Sequence, residues 1–281
     1  MTRARDLAKF NLDGQAVTIN ESSADLDFRV ESNGNANMLF VDGGNNAVGI
    51  GAAASSNVLD VTGANSATVS IIAPTDNATL ELRGGNSDSA VEEANLVFYQ
   101  NNAAKWQFGN ATDNSLKIYN YATSSYSFVM DATGAMTKPN QPFFFVRKNA
   151  NQNNIAASTH TFVSFQTENF DVGSNFASDI FTAPVTGKYL LGVSLLLSQP
   201  AQDAGYIGIR IKTSNRDYRA SIQDYVGMDA ELEYWSINGT FVCDMDANDT
   251  SYIDFYQSGG TAQTDIIESA DTTNFFGYLL G

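Results

Sequence analysis

Turn residues punctuate this chain about every ten positions, and the runs between them are short and alternate apolar with polar residues. That pattern leaves little room for helices and predicts strands. Residues 26–31 (LDFRVE) alternate cleanly, and Asn33-Gly34 marks a tight turn. MLFVD at 38–42, the turn GGNN at 43–46 and AVGIG at 47–51 complete a hairpin unit. Further strand-like runs follow at 57–61, 78–83, 95–99, 106–109 and 116–119, and residues 128–136 (FVMDATGAM) form a degenerate echo of the first unit. Strands this short do not bury a core alone and need partners. Residues 25–138 therefore read as a β-rich shaft of three chains wound about one axis or as a small β-domain, with a monomeric β-sandwich as the alternative. The polar stretch 86–93 (NSDSAVEE) reads as a loop.

The chain is 281 residues long, enough for two domains. Hydrophobic residues make up 43% and charged residues only 16%, so its polarity comes from Asn, Ser, Thr, Gln and Gly. A formal net charge of -16 argues against nucleic acid or anionic lipid as the main partner and suits protein, glycan or cation ligands. The single cysteine, Cys243, permits no disulfide within the chain and reads as a buried strand residue. The single histidine, His160, removes a His-dependent triad and weakens any His-rich metal site. No apolar run approaches membrane-spanning length, so no membrane insertion is expected. Residues 2–10 (TRARDLAKF) lack the apolar core of an export signal. They suit one or two helical turns, and Arg3, Arg5, Lys9 and Phe10 form a basic-aromatic group in an acidic chain. Residues 1–24 are thus read as an arm that anchors on a larger acidic body, with a solvated arm as the alternative.

Lys138-Pro139-Asn140-Gln141-Pro142 is the expected domain boundary, since two prolines in five residues stiffen a connector and stop strand pairing. Beyond it, residues 189–197 (YLLGVSLLL) are nearly all apolar, which implies a strand buried on both faces or a short core helix. The chain ends on FFGYLLG (275–281), too apolar to be left in water. Phe165, Asp171, Phe176, Phe181, Gly187 and Tyr189, taken with that ending, resemble the globular head of the complement C1q/TNF family. Leu191 and Val193 stand where the family carries aromatics. The resemblance covers residues 141–281 and implies a ten-strand jelly roll that assembles as a trimer, its closing strand central in a sheet beside the axis. The unit at 28–51 is similar to hairpin units of bacteriophage tail and side fibres. The expected fold class is all-β: a hairpin-rich shaft or small domain, then a C1q/TNF-like jelly-roll head over residues 139–281.

Ligand contacts in heads of this kind lie on distal loops. Candidate loops are 149–158, 199–206, 215–225 and 259–264, rich in Asn, Gln, Asp and Tyr, which read sugars by hydrogen bonds and ring stacking. Asn151, Asn153, Gln202, Tyr206, Tyr218 and Tyr225 are the candidate receptor contacts. The resemblance also admits calcium near the apex, with Asp224, Asp229, Glu231 and Glu233 as carboxylate candidates, although no cofactor is required. The run DMDAND (244–249) fails as a calcium loop, because Asp249 replaces the needed glycine and Phe255 the closing glutamate, and reads as a turn between strands. No phosphate loop or nucleophile elbow occurs, so the chain is not read as an enzyme. The expectation is a homotrimeric phage fibre or spike, made in the host cytoplasm and released by lysis. It would be anchored to capsid or tail by its N-terminus and bind a host-surface glycan or outer-membrane component through its head. The alternatives are a head decoration or fibre protein whose head only trimerises, and a bacterial surface or spore-coat protein.

Overall fold

The computed structural model describes residues 27–53, 59–62, 67–71, 77–83, 93–226 and 232–281. Every regular element among the described residues is a strand, so the fold class is all-β. The expected anchoring residues Arg3, Arg5, Lys9 and Phe10 and the calcium candidates Asp229 and Glu231 lie outside the described residues. The chain divides into two compact units, residues 1–81 and 82–281.

In the first unit β1 (Phe28–Val30), β2 (Leu39–Asp42), β3 (Ala47–Ile50) and β4 (Leu59–Val61) make one sheet in that order, with only β3 and β4 parallel. The β2–β3 turn forms because Asp42 accepts the Asn45 N–H at 2.8 Å and Asn46 takes the left-handed conformation, φ 54°. The strand expected at 78–83 is not among the regular elements of the described residues, and Leu80 and Leu82 are exposed.

The second unit begins with a meander of β5 (Ala94–Gln100), β6 (Ala103–Asn110), β7 (Leu116–Asn120), β8 (Ser125–Met130) and β9 (Met136–Thr137). The echo at 128–136 is physical. Asp131 accepts the N–H groups of Thr133 and Ala135 at 2.8 and 3.0 Å, and Gly134 is left-handed, as in the first hairpin. This sheet leaves Phe98 (56%), Tyr99, Trp106 and Phe108 exposed, so no second layer covers it among the described residues.

The remainder is a two-sheet sandwich: β10 (Phe143–Arg147), β11 (Gln152–Ile155), β12 (His160–Phe162), β13 (Thr167–Val172), β14 (Phe176–Ala177), β15 (Ile180–Thr182), β16 (Gly187–Ser198), β17 (Ile207–Thr213), β18 (Asp217–Gln223), β19 (Tyr234–Met245), β20 (Thr250–Gln257), β21 (Thr264–Ile267) and β22 (Asn274–Leu279). The front sheet runs β19-β16-β22-β10-β13, with β21 and β11 continuing beside the far end of β16. The back sheet runs β18-β17-β20, and β20 pairs at its two ends with β15 and β12. The chain crosses between the sheets from β16 to β17, from β18 to β19, from β19 to β20 and from β20 to β21, which is the jelly-roll path. The closing strand β22 is central, between β10 and β16, as expected.

The core sits between the sheets. Phe144 stacks on Phe181 at 4.6 Å and on Phe176 at 5.3 Å, and meets the edge of Phe275 at 5.0 Å. Tyr189, Leu191, Val193, Leu195 and Leu197 of β16 meet Ile207, Ile209 and Ile211 of β17, all buried. Each such side chain contributes roughly 1.5–3 kcal/mol on burial. Cys243 is buried here too, and desolvation pushes its thiol up to about 11. Residues 189–197 form a strand and not a helix, but only one of its faces is fully buried: Leu190, Ser194 and Leu196 on the other remain half-buried.

Candidate functional site

The long strands of the sandwich run between two ends. At the proximal end the connector is pinned: Asn140 donates to Ser125 Oγ (2.9 Å) and Tyr126 O (3.2 Å), and Gln141 donates to Leu279 O (2.7 Å). The β19–β20 turn lies at this end. It is a hydrogen-bonded turn, with Asp249 accepting from the Asp246 N–H at 2.8 Å and from Asn215 Nδ2 at 2.6 Å, as read from the sequence.

The distal end gathers three of the four expected loops. Asn151 Oδ1 accepts the Glu268 N–H at 2.7 Å, Ser158 donates its N–H to Gln257 O at 2.7 Å, and Asp203 accepts from the Thr261 N–H and hydroxyl at 2.6 Å each. Those two bonds, the hydroxyl's foremost, hold the Asp203 carboxyl below its usual range. Their organiser was not found in the sequence. Gln257 is fully buried, donates to Gly259 O and Ala262 O at 3.0 and 2.8 Å, and accepts from the Thr264 N–H and hydroxyl at 3.2 and 2.8 Å. Its place as the last residue of a strand, before a Gly-Gly turn, is the one signal the sequence carried. Between these loops lies a cleft of about 510 Å³ lined by Gln199, Gln202, Asp203, Leu232 and Thr261.

The candidate receptor contacts divide. Asn151 and Asn153 are exposed, and Gln202 and Tyr206 half-buried, at the distal end. Residues 152–155 form β11 and not an open loop. Tyr218 is a correction: it belongs to strand β18, near the proximal turn at 214–216, and its half-buried ring packs on Phe241 at 5.3 Å. Tyr225 is a second correction. It is fully buried, edge-on to Trp235 at 5.7 Å, and desolvation pushes its hydroxyl up to about 12. A tyrosine in a polar segment suits a loop by composition, yet its ring gains more by joining the core. Asp224 is exposed and accepts the Val226 N–H at 2.9 Å. Among the described residues no three His, Cys, Asp or Glu side chains gather to hold a metal ion.

The outer face of the front sheet is aromatic. Phe143 of β10 lies 4.6 Å from Phe170 of β13 and edge-on to Tyr278 of β22 at 5.6 Å, and Phe145 lies 5.7 Å from Phe170. Phe276, Leu190 and Val242 continue the patch across β22, β16 and β19, and Gly192 admits the Phe276 ring, since a Cβ there would lie 2.2 Å from it.

No protein-family model matches the chain, and no curated protein does. Among solved structures, the globular domain of zebrafish complement 1qA is similar at 18% identity and TM-score 0.37, covering 50% of this chain and 98% of that one. Murine APRIL at pH 8.0 is similar at 17% identity and TM-score 0.36, covering 50% and 99%.

Proposed function

We propose that the chain is the subunit of a homotrimeric phage virion fibre or spike. In this reading residues 1–24 anchor it to capsid or tail, residues 25–138 form a shaft, and residues 139–281 form a head that binds a host-surface glycan or outer-membrane component. The observation that carries the reading is the aromatic outer face of the front sheet. Phe143, Phe170, Phe276, Tyr278 and Val242 form one patch on a sheet that is otherwise fully built, and an apolar face of that kind marks an interface. A second copy brings the same aromatic surface, so three copies closing round one axis bury all three faces. The meander β5 to β9, with exposed Phe98, Tyr99 and Trp106, asks for the same neighbours.

The protein acts by binding and not by chemistry. Three distal ends per fibre, and many fibres per particle, multiply modest affinities into attachment. Truncation of residues 141–281 tests the role of the head. Loss of adsorption to host cells with trimers intact supports receptor binding. Loss of the trimers themselves supports a head that only registers the chains.

A further inference from the structure

The outer face of the back sheet carries a second surface, well away from the aromatic patch. Its side chains point outward because their strand neighbours Ile209, Ile211, Ile253 and Phe255 are buried. Three rings form a row there. His160 of β12 stacks on Tyr256 of β20 at 4.6 Å and 30°, and Tyr256 meets Tyr206 at 5.7 Å. His160 Nδ1 lies 2.7 Å from Oδ2 of the buried Asp254, which fixes the imidazole over Tyr256.

Beside the row runs a shallow trough, a dip of only about 10 Å³, lined by Tyr206, Tyr256, Arg210, Arg219 and the exposed Ile222, which stands across Gly208 from Tyr256. Gly208 is its floor: a Cβ there would come within 3.2 Å of Ser221 O and 3.8 Å of the Tyr206 ring. Arg210 and Arg219 are direct cross-strand partners, an arrangement in which like charges repel. Arg210 is offset by Asp217 at 3.4 Å, which Lys212 shares at 3.4 Å. Arg219 is exposed and has no carboxylate within ion-pair distance among the described residues. In a chain of net charge -16, two guanidinium groups stand side by side here next to a row of rings, with Asp217 beside them and Asp254 opposite Arg210 on β20.

We propose that this trough binds an acidic saccharide, a sugar ring carrying a carboxylate. The C–H face of the ring stacks on Tyr206 and Tyr256, and the carboxylate accepts hydrogen bonds from Arg219 and Arg210. Guanidinium forks match a carboxylate in two-point geometry, and tyrosine supplies an apolar face with a polar tip. The proposal deepens the reading of the head as a surface-binding module and rests on it. The back sheet suits that task, because the proposed trimer covers the opposite sheet and leaves this face open.

The test is calorimetric titration of the full-length protein with tetragalacturonate and with its methyl ester, at low ionic strength. The acid is expected to bind, and the ester at least about tenfold more weakly, a loss of about 1.4 kcal/mol. Arg219→Gln, on an exposed side chain, is expected to weaken the acid about tenfold, and Asp217→Asn to tighten it. Equal binding of acid and ester, no effect of Arg219→Gln, equal binding of a single-stranded DNA oligonucleotide, or no binding at millimolar acid would each overturn the proposal. The two readings separate in cell adsorption. Saccharide binding lost in Arg219→Gln with adsorption unchanged keeps the trough and removes it as the receptor site. Adsorption through the head without saccharide binding keeps the head's role and sinks the trough.

Discussion

At the residue scale, two buried polar side chains show how the sandwich tolerates groups that strand patterning alone would exclude. Lys148 is 1% exposed, and its ammonium donates to Ser164 O at 3.0 Å, Ser164 Oγ at 3.1 Å and Gln152 Oε1 at 3.2 Å. All three acceptors are neutral, so desolvation prevails and brings the lysine down to about 8. The folded value lies below the ordinary value of 10.5, so this group adds no pH dependence below about pH 8, where both states hold the proton. Between pH 8 and 10.5 the unfolded chain binds more protons, and stability rises with pH. Urea unfolding of the wild type and Lys148→Met at pH 7.5 and 9 isolates the effect from Cys243, whose raised value acts in the opposite direction above its ordinary 9.0. The wild type is expected to gain about 1 kcal/mol relative to the variant over that interval. Gln257 makes a different case, because its four hydrogen bonds are all satisfied. Gln257→Leu keeps the volume but strands the two carbonyls and Thr264. The expected loss is about 2 kcal/mol or more, read as a lower denaturation midpoint, with faster amide exchange confined to residues 258–264.

At the scale of elements, the front sheet closes on a glycine. Gly277 of β22 lies between Phe144 of β10 and Leu191 of β16 in register, and a Cβ there would come within 2.3 Å of the Phe144 ring and 2.6 Å of Leu191 Cδ2. Gly277→Ala is expected to cost about 1–3 kcal/mol by overpacking, seen as a lower urea midpoint with unchanged slope. The sequence made such elements legible where local chemistry decides them. The GGNN turn and its echo at 128–136 announced hairpins, and in each an aspartate, Asp42 or Asp131, caps the turn. The apolar run at 189–197 announced the central strand. FFGYLLG announced a closing strand, but not a buried end: Phe275 is buried, whereas Tyr278 and Leu280 stay exposed on the single chain. Residues 78–83 misled, because alternation over six residues is a local pattern and does not by itself make a strand. Tyr218 and Tyr225 misled, because tyrosine serves core and loop equally well. The trough on the back sheet was beyond reach: His160 and Asp254 stand 94 positions apart, and only the pairing of β12 with β20 brings them together.

At the scale of the whole molecule, the account rests on surfaces that one chain leaves uncovered. The aromatic front face, the half-buried second side of β16 and the single-layered meander all call for further copies of the chain. Phe170 is 42% exposed and Tyr278 37% exposed, so Phe170→Glu with Tyr278→Asp alters the face without opening the core. That double variant is expected to remain folded and to dissociate. The decisive measurement is the solution mass of the full-length protein by light scattering at micromolar concentration. The account predicts about three times the 30.3 kDa mass of the chain, falling to a single chain in the double variant. A wild-type protein that scatters as one chain would contradict it.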